Sequence, residues 1–207
     1  MIISFRRKFI FVAVPKTGTH AVRQALRSHV GPEDWEQVGL FVTKAFPVPE
    51  LAAIGHGHLT LQQVRPFLDP DSFDGFYKFG FVRNPFDRFV SFCAFFTRDG
   101  DSFDRNPHAV MHHFLFVAPP HERIHYQPQH IFFEDDEGRI IADQVGRVEE
   151  MQASYEEACQ RIGIPARQLD KVNSSRRSNY RDYYTPELKD AVARLYARDL
   201  ELFGYDF

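Results

Sequence analysis

A cation, two hydroxyls, a glycine and a proline crowd into five positions at Pro15-Lys16-Thr17-Gly18-Thr19. A positive charge and hydroxyls on a turn whose backbone N–H groups can be approached closely suit an oxyanion, a phosphate or a sulfate. The nucleotide loop G-x-x-x-x-G-K-[ST] is built differently, with its lysine after the last glycine and a magnesium-holding hydroxyl beside it. Here Lys16 precedes Gly18, and no glycine lies upstream within the loop. The plainer alternative is an ordinary strand-to-helix turn carrying a solvated lysine.

A second set of groups has the same chemistry. In Arg83-Asn84-Pro85-Phe86-Asp87-Arg88, followed by Ser91, a guanidinium able to bind in a bidentate manner stands two helical turns from a hydroxyl. A third set is Gly55-His56-Gly57-His58. An imidazole with an ordinary pKa near ~6.5 can take a proton from a weak nucleophile. The two histidines could instead be a metal pair completed by His112, His113, His121, His125 or His130. No carboxylate or cysteine stands at a supporting spacing, so no metal is expected. Arg147 and Arg176 lie in basic later segments, as ligand contacts or as solvated side chains. Gln127 and Gln129 could meet sugar hydroxyls or simply sit on the surface.

These groups need elements to position them. Phe9-Ile-Phe-Val-Ala-Val14 is apolar and half β-branched, which suits a central strand covered on both faces. Ala21, Val22, Ala25 and Leu26 then recur at helical spacing, so the loop sits between a strand and a helix N-terminus. Phe76–Val82 is a second strand running into a helix over 85–96, with Asn84 as N-cap, Pro85 at the first position and Asp87 in the first turn. Ligands of open parallel sheets bind at the carboxyl ends of strands, so two anion corners on such an edge suggest a ligand phosphorylated at both ends.

Elsewhere, Val38–Val42 reads as a short strand. Thr60 and Gln63 form a capping box for a helix over 61–68 that Asp69-Pro70-Asp71 closes. His108–Val117 reads as a helix. His130–Phe133 and Arg139–Ala142 read as a hairpin, and Gln144–Val148 as a further strand. A helix follows to Gly163, and a last one runs from Thr185-Pro186 to near Gly204. The expectation is one α/β domain over 1–207, a central parallel sheet flanked by helices.

Composition narrows the class. The 207 residues are 43% hydrophobic and 26% charged, ordinary for one well-cored globular domain. The 22 phenylalanines point to a Phe-rich core. A net charge of −3 argues against nucleic acid as a partner and requires any anion site to be a local basic pocket. Two cysteines, Cys93 and Cys159, cannot make a disulfide framework and are expected buried and reduced. No stretch approaches the ~20 apolar residues of a membrane span, and the expected location is cytoplasmic.

Together the motifs resemble sulfotransferases that use 3′-phosphoadenosine 5′-phosphosulfate (PAPS). Pro15-Lys16-Thr17-Gly18-Thr19 resembles their 5′-phosphosulfate loop, and Phe81–Ser91 resembles their 3′-phosphate motif. Val145-Gly-Arg-Val-Glu149, Asn173-Ser-Ser-Arg176, Asn179–Pro186 and the ending Leu202–Phe207 resemble the carbohydrate branch, which includes chondroitin, HNK-1 and uronyl 2-O-sulfotransferases. The resemblance runs from about residue 9 to the C-terminus. It implies a P-loop-nucleotide-kinase-like fold, PAPS as donor, and a saccharide or glycoconjugate hydroxyl as acceptor. Membrane-anchored members carry an N-terminal transmembrane segment, and this chain is expected to be a soluble relative.

Under that resemblance Lys16 neutralises charge on the leaving phosphate oxygen, and the amides of Thr17, Gly18 and Thr19 hold the 5′-phosphate. Arg83 and Ser91 hold the 3′-phosphate. His58 is the first choice for general base, matching a histidine similarly placed in the uronyl 2-O branch, with His56 its rival. Two other readings compete: a kinase-like phosphotransferase, which needs a magnesium-holding loop, and a nucleotide-binding module without catalysis.

Overall fold

The computed structural model describes residues 1–37, 44–169 and 179–207. In chain order the elements are β1 (Ile2–Ser4), β2 (Phe9–Val12), α1 (Thr19–Arg27), β3 (Trp35–Glu36), α2 (Pro49–Ala52), α3 (Leu61–Val64), α4 (Pro70–Gly75), β4 (Tyr77–Val82), α5 (Pro85–Phe96), α6 (Ser102–Arg105), α7 (Pro107–His112), β5 (Gln144–Arg147), α8 (Met151–Ile162), α9 (Pro186–Leu195) and α10 (Ala197–Phe203). Contacts divide the chain into two compact units. One is Met1–Val82 with the described part of Ile131–Val172, and the other is Arg83–His130 with the described part of Asn173–Phe207.

The first unit holds a five-stranded sheet of order β3-β1-β2-β4-β5. Its core trio is parallel, with Val12 opposite Gly80 and Val82 opposite Arg147. β1 and β3 are antiparallel additions, so the sheet is mixed rather than the parallel one expected from the sequence. Only Phe5–Lys8 separate β1 from β2. A connection that short can make a turn but not the crossover that parallel strands require. One face of the sheet presents Phe9, Phe11, Phe79 and Phe81, packed beneath Ala21, Val22, Ala25 and Leu26 of α1 and Tyr155, Ala158, Cys159 and Ile162 of α8. Phe11 and Phe79 stand 5.3 Å apart across neighbouring strands, and fully burying each such ring contributes about 1.5–3 kcal/mol.

The second unit is built around α5, which is apolar nearly all round. Phe86, Phe89, Val90, Phe92 and Cys93 pack with Phe103, Met111, Tyr126, Leu188, Val192 and Tyr196. Asn84 caps α5 as expected, its Oδ1 accepting the N–H of Phe86, with Pro85 in the first turn. Both cysteines are buried and neither is in a disulfide.

Several expectations shift. The Thr60–Gln63 capping box is present, but α3 gives way to a 3₁₀ turn at Arg65–Phe67, where Pro66 lacks an N–H. The run ends at Leu68, just before Asp69-Pro70-Asp71 as expected, and Asp69 also caps α4, accepting from the N–H of Ser72. The expected hairpin is instead a 3₁₀ turn at His130–Phe132 and a single bridge between Glu134 and Ile140. The Asp135 carboxylate gathers the N–H groups of Glu137 and Arg139, so a side chain closes this connection. The helix over 108–117 is α7 followed by a π turn at His113–Val117. The last helix breaks at Tyr196 into α9 and α10. The strand expected at Val38–Val42 lies outside the described residues. Among the described residues no helix is long and apolar enough to cross a membrane.

Candidate functional site

The first unit places Pro15-Lys16-Thr17-Gly18-Thr19 between the carboxyl end of β2 and the start of α1. The turn is tight enough to put Lys16 at φ 68 and Gly18 at φ 69, both left-handed. A non-glycine residue there is uncommon and costs energy that the surroundings must offset. Thr17 is fully buried, and its hydroxyl donates to the carbonyl of Val14 at 3.0 Å. The hydroxyl of Thr17 therefore braces the loop. Gly18 is the N-cap of α1 and offers no side-chain cap, and the first turn of α1 has no acidic residue. The positive end of this nine-residue helix is thus left for an outside anion. His20, in the first turn, has its pKa lowered by burial and then by the charges of Arg23 and Lys16.

The two histidines differ in what their ring nitrogens do. His58 Nδ1 lies 2.6 Å from the carbonyl oxygen of Ala13, just before the loop. A carbonyl only accepts, so Nδ1 carries a proton, and in the neutral form of the ring the lone pair lies on Nε2. His56 Nδ1 accepts the backbone N–H of His58 at 3.3 Å. Its lone pair is spent on holding the turn, and its pKa is lowered chiefly by burial.

Two side chains absent from the sequence reading, Gln37 and Arg23, set that turn. Gln37 Nε2 donates to the carbonyls of Leu51 and His56 at 3.2 and 3.0 Å. Arg23, only 4% exposed, donates to the carbonyls of Gln37 and Gly57. Burial brings this guanidinium down to about 10. Gly57 leaves no room for a side chain, because a Cβ would collide with the Gln37 carbonyl and the Arg23 guanidinium. These bonds join residues far apart in the chain, so no local pattern announces them.

Arg147 is the exposed last residue of β5, in register with Val82 at the edge where the parallel strands end. Met151, four residues on, approaches the loop so closely that a Cβ on Gly18 would lie 2.8 Å from its terminal methyl. The first unit thus brings together the loop, His58 and the end of β5. Arg176 lies outside the described residues.

In the second unit, Arg83 is held at two points. Its Nε donates to Asp87 Oδ2 at 2.7 Å. Its backbone N–H and C=O both pair with the Gln129 side chain, at 2.9 Å each. Asp87 and Ser91 are one turn apart, so the ion-pair partner of Arg83 and Ser91 lie on the same face of α5. Ser91 is 5% exposed. Gln129, read as a surface or sugar-binding residue, is fully buried. Arg88 is buried too, its Nη2 donating to the carbonyls of His125 and Gln127. The four-residue spacing of Arg83 and Asp87 could have been read from the sequence, whereas the Gln129 clamp could not. Among the described residues no group of three or more His, Cys, Asp or Glu could hold a metal ion.

Comparison with curated proteins and with solved structures finds no match. A family model described as "Sulfotransferase family" matches residues 1–206. Nearly the whole chain, including both strand-to-helix corners, falls within that match, and the protein belongs to the sulfotransferase family.

Proposed function

We propose that the protein is an O-sulfotransferase that uses PAPS as donor and acts on a hydroxyl of a saccharide-type acceptor. The observation that carries this reading is the bond from His58 Nδ1 to the Ala13 carbonyl. It sets the ring in the tautomer of a general base and ties it to the strand that leads into the Lys16 loop. Each corner taken by itself suits one phosphate of the donor: an uncapped helix start without a first-turn acid, an exposed Gly18 and a neighbouring cation in the first unit, and a guanidinium and a buried hydroxyl in the second. The acceptor class rests on the resemblance of the later segments to the carbohydrate branch.

When bound, PAPS supplies a sulfuryl group already joined to a phosphate leaving group. His58 Nε2 takes the proton of the acceptor hydroxyl as that oxygen attacks. Lys16 offers a positive charge to the phosphate oxygen that is released, and the backbone at Thr17, Gly18 and Thr19 holds the 5′-phosphate. Arg83 and Ser91 hold the 3′-phosphate. Arg147 and, in the resemblance, Arg176 are further contacts to donor or acceptor. His56 orients His58.

The test is sulfate transfer from radiolabelled PAPS to a panel of saccharides. His58→Asn is expected to lower kcat by about 10²–10⁴-fold, the usual share of a general base, and His56→Asn by much less. Equal activity of His58→Asn and wild type would overturn the assignment. Transfer from magnesium-ATP instead of PAPS would favour a kinase.

A further inference from the structure

The 3′-phosphate corner, if Arg83 serves it as proposed above, is set by a buried carboxylate that touches no ligand. We infer that Asp199, acting through Gln129, is the positioning device for Arg83. Asp199 lies in α10 and is fully buried. Its Oδ2 accepts the N–H of Gln129 at 2.7 Å, and its Oδ1 accepts the N–H of His130 at 2.9 Å and His130 Nδ1 at 2.7 Å. Gln129 Nε2 also lies 3.5 Å from Oδ2. A buried carboxylate survives only when hydrogen-bonded or paired. Here the donors are two consecutive backbone amides and two side chains of one short segment.

The same segment is gripped from its other end. The buried Arg88 guanidinium donates to the carbonyls of His125 and Gln127 and lies close enough to feel the charge of Asp199. A cation takes the carbonyls and an anion takes the amides, so residues 125–130 are held by charges of opposite sign. The consequence falls on Arg83, which follows the last residue of β4. Its backbone N–H and C=O need partners where the strand gives way to a helix. The Gln129 carboxamide supplies both at 2.9 Å, as a neighbouring strand would. With the backbone held by Gln129 and Nε held by Asp87, the outer guanidinium edge is carried on a side chain tethered at both ends. Asp199 and Gln129 therefore set where that edge points without touching the anion.

The test is calorimetric titration of the full chain and its Gln129→Met and Asp199→Asn variants. The two probes are adenosine 3′,5′-bisphosphate and adenosine 5′-monophosphate, which lacks the 3′-phosphate. Methionine keeps the volume and removes both hydrogen bonds to Arg83. Gln129→Met is expected to lose about tenfold in affinity for the bisphosphate, the size of one charge-assisted hydrogen bond, while the monophosphate changes by no more than about twofold. Asp199→Asn is expected to show the same pattern, more weakly. If both ligands weaken equally, or neither changes, the residues are merely structural and the inference fails. Should Gln129→Met lose its cooperative unfolding transition, Asp199→Asn decides by the same comparison. A wild-type chain with no preference for the bisphosphate would overturn the assignment of Arg83 itself, a failure visible before any variant is made.

Discussion

Two of the strand-to-helix corners among the described residues, those leading into α1 and α5, begin their helices in opposite ways. At α1 the helix start is bare: Gly18 offers no capping side chain and the first turn has no acid. At α5 the helix start is already occupied, with Asn84 accepting the N–H of Phe86 and Asp87 in the first turn. The first corner leaves its dipole and backbone amides to a ligand. At the second, Asn84 takes a first-turn N–H and Asp87 adds a negative charge, so under the proposed function an anion there is met by the side chains of Arg83 and Ser91. The difference teaches that a helix N-terminus counts as a binding site only after its caps have been counted. It also explains why the first corner is short and strained, with two left-handed residues, whereas the second is braced by Asp87 and Gln129.

The comparison can be broken at its largest effect first. If the backbone at the first corner binds and Lys16 supplies charge to the reaction, Lys16→Ala should lower kcat by roughly 10²–10³-fold, as removal of one preorganised charge-stabilising donor does. Single-turnover kinetics would separate this from loss of binding, and a loss confined to donor affinity would contradict the division of roles. Next, Gly18→Asp gives the first corner the acid it lacks, at a residue with φ 69. Its carboxylate should compete for the helix dipole and weaken adenosine 5′-monophosphate binding by about tenfold, the upper range of a helix-dipole interaction. Unchanged affinity would mean that the bare helix end is not what the anion meets.

The smallest expected effect is on pH dependence. His20 and His56 both lie in the first unit, and burial lowers both below the ordinary 6.5. At acidic pH the unfolded chain therefore binds more protons than the folded one. Stability should be full above about 6.5 and decline as pH falls from there toward the depressed folded values. Thermal unfolding between neutral and mildly acidic pH checks this, and His20→Gln should flatten the profile. A profile that steepens in that variant would contradict the sign.

What could be read from the sequence was what is local. The Lys16 loop, Asn84-Pro85 and the Thr60–Gln63 box are each written within a few consecutive residues, and each lies where it was expected. β1 and β3 are three and two residues long, too short for an alternation to register, and with them went the mixed character of the sheet. The supports of the site were hidden for another reason. Gln37, Arg23, Gln129 and Asp199 act by side-chain bonds to backbone groups 14 to 70 positions away, and a buried glutamine looks no different in sequence from an exposed one. His58 is already preferred to His56 as base in the sequence reading, and the coordinates add a difference it could not show: one ring nitrogen meets a carbonyl and the other an N–H.

The most direct measurement is a calorimetric titration of the chain with adenosine 3′,5′-bisphosphate beside ATP, both without magnesium, repeated with Arg83→Ala. The account expects the bisphosphate to bind more tightly than ATP and to lose about tenfold or more in the variant, the size of a charge-assisted contact. No binding of the bisphosphate, or a preference for ATP once magnesium is added, would contradict it.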